Sequence, residues 1–211
     1  MIEGVTSADT WRDAPYGAPV QPQFDQAETE ALIDRYGPTM RRECQFCLDE
    51  RGYAYWWQVK AFLLRAEVVI VVQRSDGQLL LHTKEHYPPA TYRFPSGGIG
   101  WGEMVLDALA REQWEELGMR LLPTSMPALI RYSLRHAEHT ILYDSYIFIL
   151  HADGIPKPIP QDPCEAISDL CWIEPSQLPA VSDHLRHVIR AWGDWGPFRA
   201  IAHDVIFEVM R

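Results

Sequence analysis

The chain has 211 residues, 47% of them hydrophobic, and a formal charge of −10. That length suits one ordinary domain plus an extension, and the apolar share is enough for a substantial core. The acidic balance argues against electrostatic wrapping of nucleic acid, so no nucleic-acid partner is expected and an anionic substrate must meet cations locally.

No apolar run approaches the roughly 20 residues needed to span a bilayer. The N-terminal MIEGVTSADTWRDAP lacks the basic and then apolar layout of a secretory signal. The expectation is a cytoplasmic protein with no membrane partner. Four cysteines are too sparse for a disulfide scaffold. Cys44 and Cys47 form a C-x-x-C pair, with Cys164 and Cys171 downstream, so the sharp reading is a zinc site of four thiolates and the plain one is reduced thiols.

Residues 1–24 are rich in Pro, Gly, Gln and Asp without a period and read as an extended arm. FDQAETEALIDRYG spaces Phe24, Ala27, Ala31, Leu32 and Tyr36 as a short amphipathic helix, with Gly37 and Pro38 as its stop. Tyr53, Tyr55, Trp56, Trp57, Phe62 and Leu63 then crowd one stretch, mainly as core-packing area. Residues 25–60 are thus a helix with an aromatic-rich extension, and 61–211 the main domain.

Glu67 to Val72 is a β-branched run, RSDG at 74–77 a turn, and LLLHT the second strand of a hairpin. Another strand is expected over Ala90 to Phe94. A glycine-rich loop then leads into a helix from about Glu103 to Leu117, stopped by Gly118. Strands over Ala128 to Leu134 and Thr140 to His151 flank the turn HAEH. A Pro-rich loop precedes LCWIEPSQL, and Asp183 to Trp192 supplies a last amphipathic helix. The pattern is α/β (α+β), a mixed sheet with helices on its faces.

The segment GGIGWGEMVLDALAREQWEELGM carries the chemistry. At 100° per residue Leu106, Leu109, Ala110, Gln113 and Leu117 share one stripe, and Glu112, Glu115 and Glu116 fall on an arc roughly opposite. Carboxylates at i, i+3 and i+4 repel by several tenths of a kcal/mol per pair. A solvated face relieves this with lysines, yet no lysine lies between Glu85 and Pro156. Hard divalent cations want oxygen ligands, so Mg²⁺ or Mn²⁺ would turn the repulsion into a binding site. Gly97, Gly98, Gly100 and Gly102 bring bare backbone to the helix start, where carbonyls can ligate a metal and amides can meet phosphate.

The spacing Gly97, Glu103, Arg111-Glu112, Glu115-Glu116, Gly118 and apolar Met119 resembles the Nudix box of the Nudix hydrolases. The similarity extends from about Glu67 to Leu178. It implies a Nudix-like α/β/α sandwich around a mixed sheet, and Mg²⁺- or Mn²⁺-dependent cleavage of a pyrophosphate linkage in a nucleoside diphosphate derivative. Carried over, Glu112, Glu115 and Glu116 would be metal ligands, with Gly97 offering its carbonyl. Arg111 would orient these carboxylates, Glu103 would organise the loop and helix start, and Gly118 would close the helix. Glu165 is the candidate acid from outside the box, with Asp162 and Glu138 behind it. The chain departs from the family at Gln113, where an apolar residue is usual, and at Ser96, where glycine is common. A buried amide there costs on the order of 1 to 3 kcal/mol unless hydrogen-bonded.

Attack by a water on one phosphorus, with Glu112 or Glu165 taking its proton, is the implied mechanism. Arg93, Lys84, Arg131 and Arg135 are candidates to meet phosphate, and Tyr92, with Tyr87, Trp101 and Tyr132, to stack a nucleobase. His82, His86, His136, His139 and His151 have no spacing that dictates a metal site. The subgroup signature about sixteen residues beyond the box, a proline or tyrosine linked by resemblance to ADP-ribose or dinucleoside polyphosphate hydrolases, is absent, and Arg135 stands there. The first 60 residues exceed a minimal Nudix core and are candidates for tuning specificity or for a homodimer contact. The competing reading, a binding or regulatory module on the same fold with its chemistry lost, conflicts with the intact glutamates and Arg111.

Overall fold

The computed structural model describes residues 25–56, 63–154, 157–188 and 194–211. The arm expected over 1–24, and Trp57 and Phe62 of the aromatic stretch, lie outside the described residues. In chain order the elements are α1 (Gln26–Tyr36), β1 (Met40–Cys47), α2 (Glu50–Tyr55), β2 (Leu64–Arg74), β3 (Leu79–Lys84), β4 (Ser96–Gly100), α3 (Val105–Leu117), β5 (Pro123–His136), β6 (His139–Ala152), β7 (Ile167–Ile173), α4 (Leu178–Val188) and α5 (Trp195–Val209). Short 3-10 turns at Pro163–Glu165 and Pro175–Gln177 flank β7.

The strands form one sheet in the order β1-β5-β6-β2-β3-β7, with β4 paired to β2. The β1–β5 and β2–β6 pairs are parallel, and the other pairs are antiparallel. Alternation along β2 explains its unbroken β-branched run: Ala66, Val68, Ile70 and Val72 face the helices α1 and α3, and Val69 and Val71 face the opposite layer. That opposite layer holds Trp56, Leu178, Phe198, Val205 and Ile206. Two apolar clusters on the two faces make the expected α/β/α sandwich. Trp56 is buried against Tyr143 and Phe198, as core packing predicts.

Several elements differ from the sequence reading. Residues 90–94 are not a strand; Arg93 makes a single bridge to His82, and Pro88, Pro89 and Pro95 around the segment withhold ladder donors. The strand lies instead in the glycine run, where Gly97 pairs with Val68 and Gly98 with Glu67. β1 was not expected, because its charged alternate residues hide an edge strand whose inward positions Cys44 and Phe46 pack on the core. α5 was not expected either, although Phe198, Ala202, Val205 and Ile206 bury one stripe of it. The last expected helix begins earlier, at Leu178, and its expected end lies outside the described residues.

The zinc reading is corrected. Cys44 and Cys47 stand three apart on β1 and so point to opposite faces, one half-buried and one exposed. Cys171 lies on β7 at the other edge of the sheet, and Cys164 is exposed in a turn. The four thiols cannot share one ion.

Candidate active site

α3 packs across β4 and β2, and its sequence periodicity hides what it buries. The buried residues are Val105, Ala108, Leu109, Glu112, Gln113, Glu116 and Leu117, whereas Ala110 is exposed. Two of the three box carboxylates therefore lie on the core side of the helix, not opposite it. Gln113, 2% exposed, accepts the Leu121 N–H through Oε1 at 2.9 Å, which meets the hydrogen-bond requirement of a buried amide. Gly118 ends the helix at φ +63°, and a Cβ there would meet the Ile159 carbonyl oxygen at 2.1 Å.

That closeness is how Glu165 reaches the site. The last carbonyls of a helix lack intrahelical partners. Here Glu115 O accepts from the N–H groups of Gln161 (3.0 Å) and Asp162 (3.2 Å), and Leu117 O accepts from Ile159 (2.9 Å). The Pro-rich loop is laid along the helix end, and the following turn delivers Glu165. One carboxylate oxygen each from Glu112, Glu115 and Glu165 then lie within 4.8 Å of one another. Asp162 instead caps its turn by accepting from Cys164 N, and Glu138 stands exposed at the β5–β6 hairpin.

Arg111 binds the cluster from one flank. Its guanidinium donates to Glu103 (2.9 Å), Glu112 (2.6 Å), Glu115 (3.0 Å) and the carbonyl of Gly98 (2.8 Å). Glu103 also accepts the Gly100 N–H at 2.8 Å, so it ties loop to helix. Burial pulls the Glu103 carboxyl upward, but Arg111 and Gly100 outweigh it and its pKa falls. Glu112 is the opposite case: burial pushes its carboxyl up to about 7 against the pull of Arg111.

Glu116 is set apart. It is fully buried, accepts the Ser96 N–H at 3.0 Å through Oε2, and faces Lys84 Nζ at 3.0 Å and Arg93 Nη2 at 3.9 Å. His82 Nδ1 stands 3.9 Å away. Burial raises the pKa of Glu116 and holds that of His82 well below the usual value, so this histidine is neutral. Lys84 also pairs with Glu165, so one ammonium links the buried glutamate to the acidic cluster. Burial alone would lower the Lys84 pKa, but Glu116 and Glu165 raise it.

The remaining candidates fall in several places. Arg93 is 4% exposed and donates to Tyr87 Oη (2.8 Å), Phe94 O (2.7 Å) and Ser96 Oγ (2.8 Å), so its cation serves the interior. Ser96 thus does more than replace a glycine: its hydroxyl meets Arg93 and also Arg199 of α5 at 3.0 Å. Tyr92 donates to Asp169 at 2.5 Å, which pushes the phenol up to about 12. Arg131 is bidentate to Asp144 (2.9 Å to each oxygen) on the far side of β6 and β2 from the cluster. It lines a cleft of about 240 Å³ beside α1 and β1 together with Gln26, Arg41 and Arg42. Sequence reasoning missed Arg65 and Glu28, which meet the start of α3; no motif marks them.

The donor set fits a hard divalent cation. Opposite ligands of Mg²⁺ stand about 4.2 Å apart, given metal–oxygen bonds of about 2.1 Å, close to the spread of the three carboxylates. Gly97 adds a cradle: a Cβ on it would fall 1.6 Å from the Glu112 carboxyl carbon, so only glycine lets that carboxylate lie against the β4 backbone.

A NUDIX domain family model matches residues 63–192. An RNA pyrophosphohydrolase of Psychrobacter sp. (strain PRwf-1) is 36% identical over 88 residues, covering 36% of this chain and 49% of that protein. A NAD-capped RNA hydrolase of Stutzerimonas stutzeri (strain A1501) is 27% identical over 118 residues, covering 56% of this chain and 39% of that one. The chain thus spans half or less of the length of these relatives. A solved C. elegans Ap4A hydrolase binary complex is similar at 18% identity and a TM-score of 0.44, covering 56% of this chain and 85% of that one. Both curated relatives are named for RNA, so the expectation of no nucleic-acid partner finds no support in them. Among the described residues no helix is long and apolar enough to cross a membrane. With its box residues in this geometry and the family model covering 63–192, the chain belongs to the Nudix family.

Proposed function

We propose that this chain is a Mg²⁺- or Mn²⁺-dependent pyrophosphohydrolase acting on a nucleoside diphosphate derivative. The observation that carries the reading is the convergence of Glu112, Glu115 and Glu165 within 4.8 Å beside the Gly97 backbone. Arg111 is the permanent cation of the site, and its contacts to three carboxylates fix their spacing before any ion arrives. A divalent ion held by Glu112, Glu115 and Glu165 would neutralise phosphoryl charge and would acidify a water.

The protein's own part is to orient and to move a proton. Glu112 and Glu165 are the carboxylates we assign to take the proton of a water at the cluster, and burial favours proton uptake at Glu112. Glu116 and Lys84 set the charge behind the cluster. The names of the relatives extend the candidate substrates to pyrophosphate-bearing RNA ends. The test is a panel of nucleotide sugars, dinucleoside polyphosphates, NAD, coenzyme A, nucleoside triphosphates, 5′-triphosphate RNA and NAD-capped RNA, followed by phosphorus NMR with Mg²⁺. Release of nucleotide from at least one, abolished by chelation, is expected. No cleavage of any, with Mg²⁺ or Mn²⁺ present, would overturn the reading.

A further inference from the structure

α3 begins without a cap of its own. The four N–H groups of a first helical turn have no intrahelical partner, and the residue before this helix, Met104, offers no side-chain acceptor. The acceptor comes from α1: Glu28 Oε1 takes the Val105 N–H at 2.6 Å. Glu28 Oε2 takes a hydrogen bond from Arg65 Nη2 at 2.7 Å, and the two side chains are 6% and 8% exposed. Arg65 in turn donates to the Glu103 carbonyl, at 2.7 Å from Nη2 and 3.3 Å from Nε.

From Glu103 the connection runs to the cluster. Its carboxylate receives Arg111 at 2.9 Å and 3.1 Å, and Arg111 holds Glu112 and Glu115. Glu28 is itself fixed: its N–H donates to Asp25 Oδ1 at 2.9 Å, and the neighbouring Thr29 hydroxyl meets Tyr146 Oη at 2.8 Å. A buried carboxylate at this helix end also carries the charge that the helix dipole favours.

We propose that Glu28, outside the family-matched segment, is a positioning residue for the metal site, acting through Val105 and the Arg65–Glu103–Arg111 relay. This rests on the reading of Glu112, Glu115 and Glu165 as cation ligands. The N-terminal extension is then a working part of the active site, because it fixes where α3 starts and hence where its carboxylates stand relative to Gly97.

The test measures Mn²⁺ uptake by the full chain from the free-ion EPR signal, with melting curves alongside, for wild type, Glu28→Ala and Glu28→Gln. Wild-type uptake, with affinity weakened at least tenfold in Glu28→Ala and less in Glu28→Gln, is the expected result. Glu28→Gln keeps an oxygen acceptor and reports even if the alanine variant does not fold. A lowered melting temperature with Mn²⁺ affinity unchanged in the folded variants overturns the proposal and leaves a structural cap. Wild-type protein that takes up no Mn²⁺ overturns the metal reading and this inference together.

Discussion

The Glu112 carboxyl group occupies the space where any residue but glycine at position 97 would place its Cβ, 1.6 Å from the carboxyl carbon. One backbone position on β4 therefore decides where a carboxylate eight residues along α3 from Met104 comes to rest. Gly97→Ala must push Glu112 out, because such a contact lies far inside van der Waals distance. The fold should survive, since the clash is with a side chain rather than with backbone. Mn²⁺ affinity is expected to fall roughly tenfold or more, by analogy with losses on disturbing metal-site geometry. Calorimetric titration checks this, and unchanged affinity would remove Glu112 from the ligand set.

Glu115 and Glu116 are neighbours in sequence and opposites in environment. Glu115 is partly exposed and shares Arg111 with two other acids, whereas Glu116 is fully buried against Lys84, Ser96 N–H and Arg93. Glu115→Gln is expected to leave the melting temperature within a few degrees and to lower turnover by roughly 100-fold. Glu116→Gln removes the partner of buried cations and should cost about 3 kcal/mol of stability besides. Equal melting temperatures for the two variants would contradict the inward placement of Glu116.

Stability and metal binding should both depend on pH through Glu112. Its folded pKa of about 7 lies above the ordinary 4.5. The fold therefore favours the protonated carboxyl, and that contribution is present below about pH 4.5 and lost as pH rises through about 7. Metal-free protein should melt lower at pH 8 than at pH 5, by at most about 3 kcal/mol of stability. Proton and cation compete for the same oxygens, so Mn²⁺ affinity should rise over this interval and then level. Scanning calorimetry from pH 5 to 8, with and without Mn²⁺, reads both; a flat metal-free profile would contradict the burial argument.

Gln113 stands where an apolar residue is usual in the family, and its oxygen holds the Leu121 N–H. Gln113→Leu strands that donor next to the core at a cost of about 1 kcal/mol. A drop of roughly 2–4 °C in melting temperature follows for a chain of this size. Mn²⁺ affinity should stay as in wild type, because the amide faces the loop after α3 and not the cluster. A stabilised variant would mean the hydrogen bond contributes less than the added apolar burial.

The sequence alone carried the fold class and the box. The β-branched run of β2, the turn at Asp76-Gly77 and the spacing from Gly97 to Gly118 are local patterns, and local patterns survive in one dimension. The same spacing pointed to Glu103, Arg111, Glu112, Glu115 and Glu116 together, and Glu165 was expected as the acid outside the box; one of its oxygens lies within 4.8 Å of oxygens of Glu112 and Glu115, while Glu116 stands apart from them. What remained hidden depends on contacts between distant segments. Glu116 belongs to the same motif as its neighbour, but which rotation of α3 faces the core was decided by β2, β3 and β4 packing beneath it, and helical periodicity misassigned that face. Arg93 and Arg131 look like phosphate-binding cations in sequence; only the tertiary structure surrounds the first with interior acceptors and pairs the second with Asp144. The Glu28 cap was invisible because a hydrogen bond between residues 77 positions apart leaves no period in the chain, and only folding brings its donor and acceptor together.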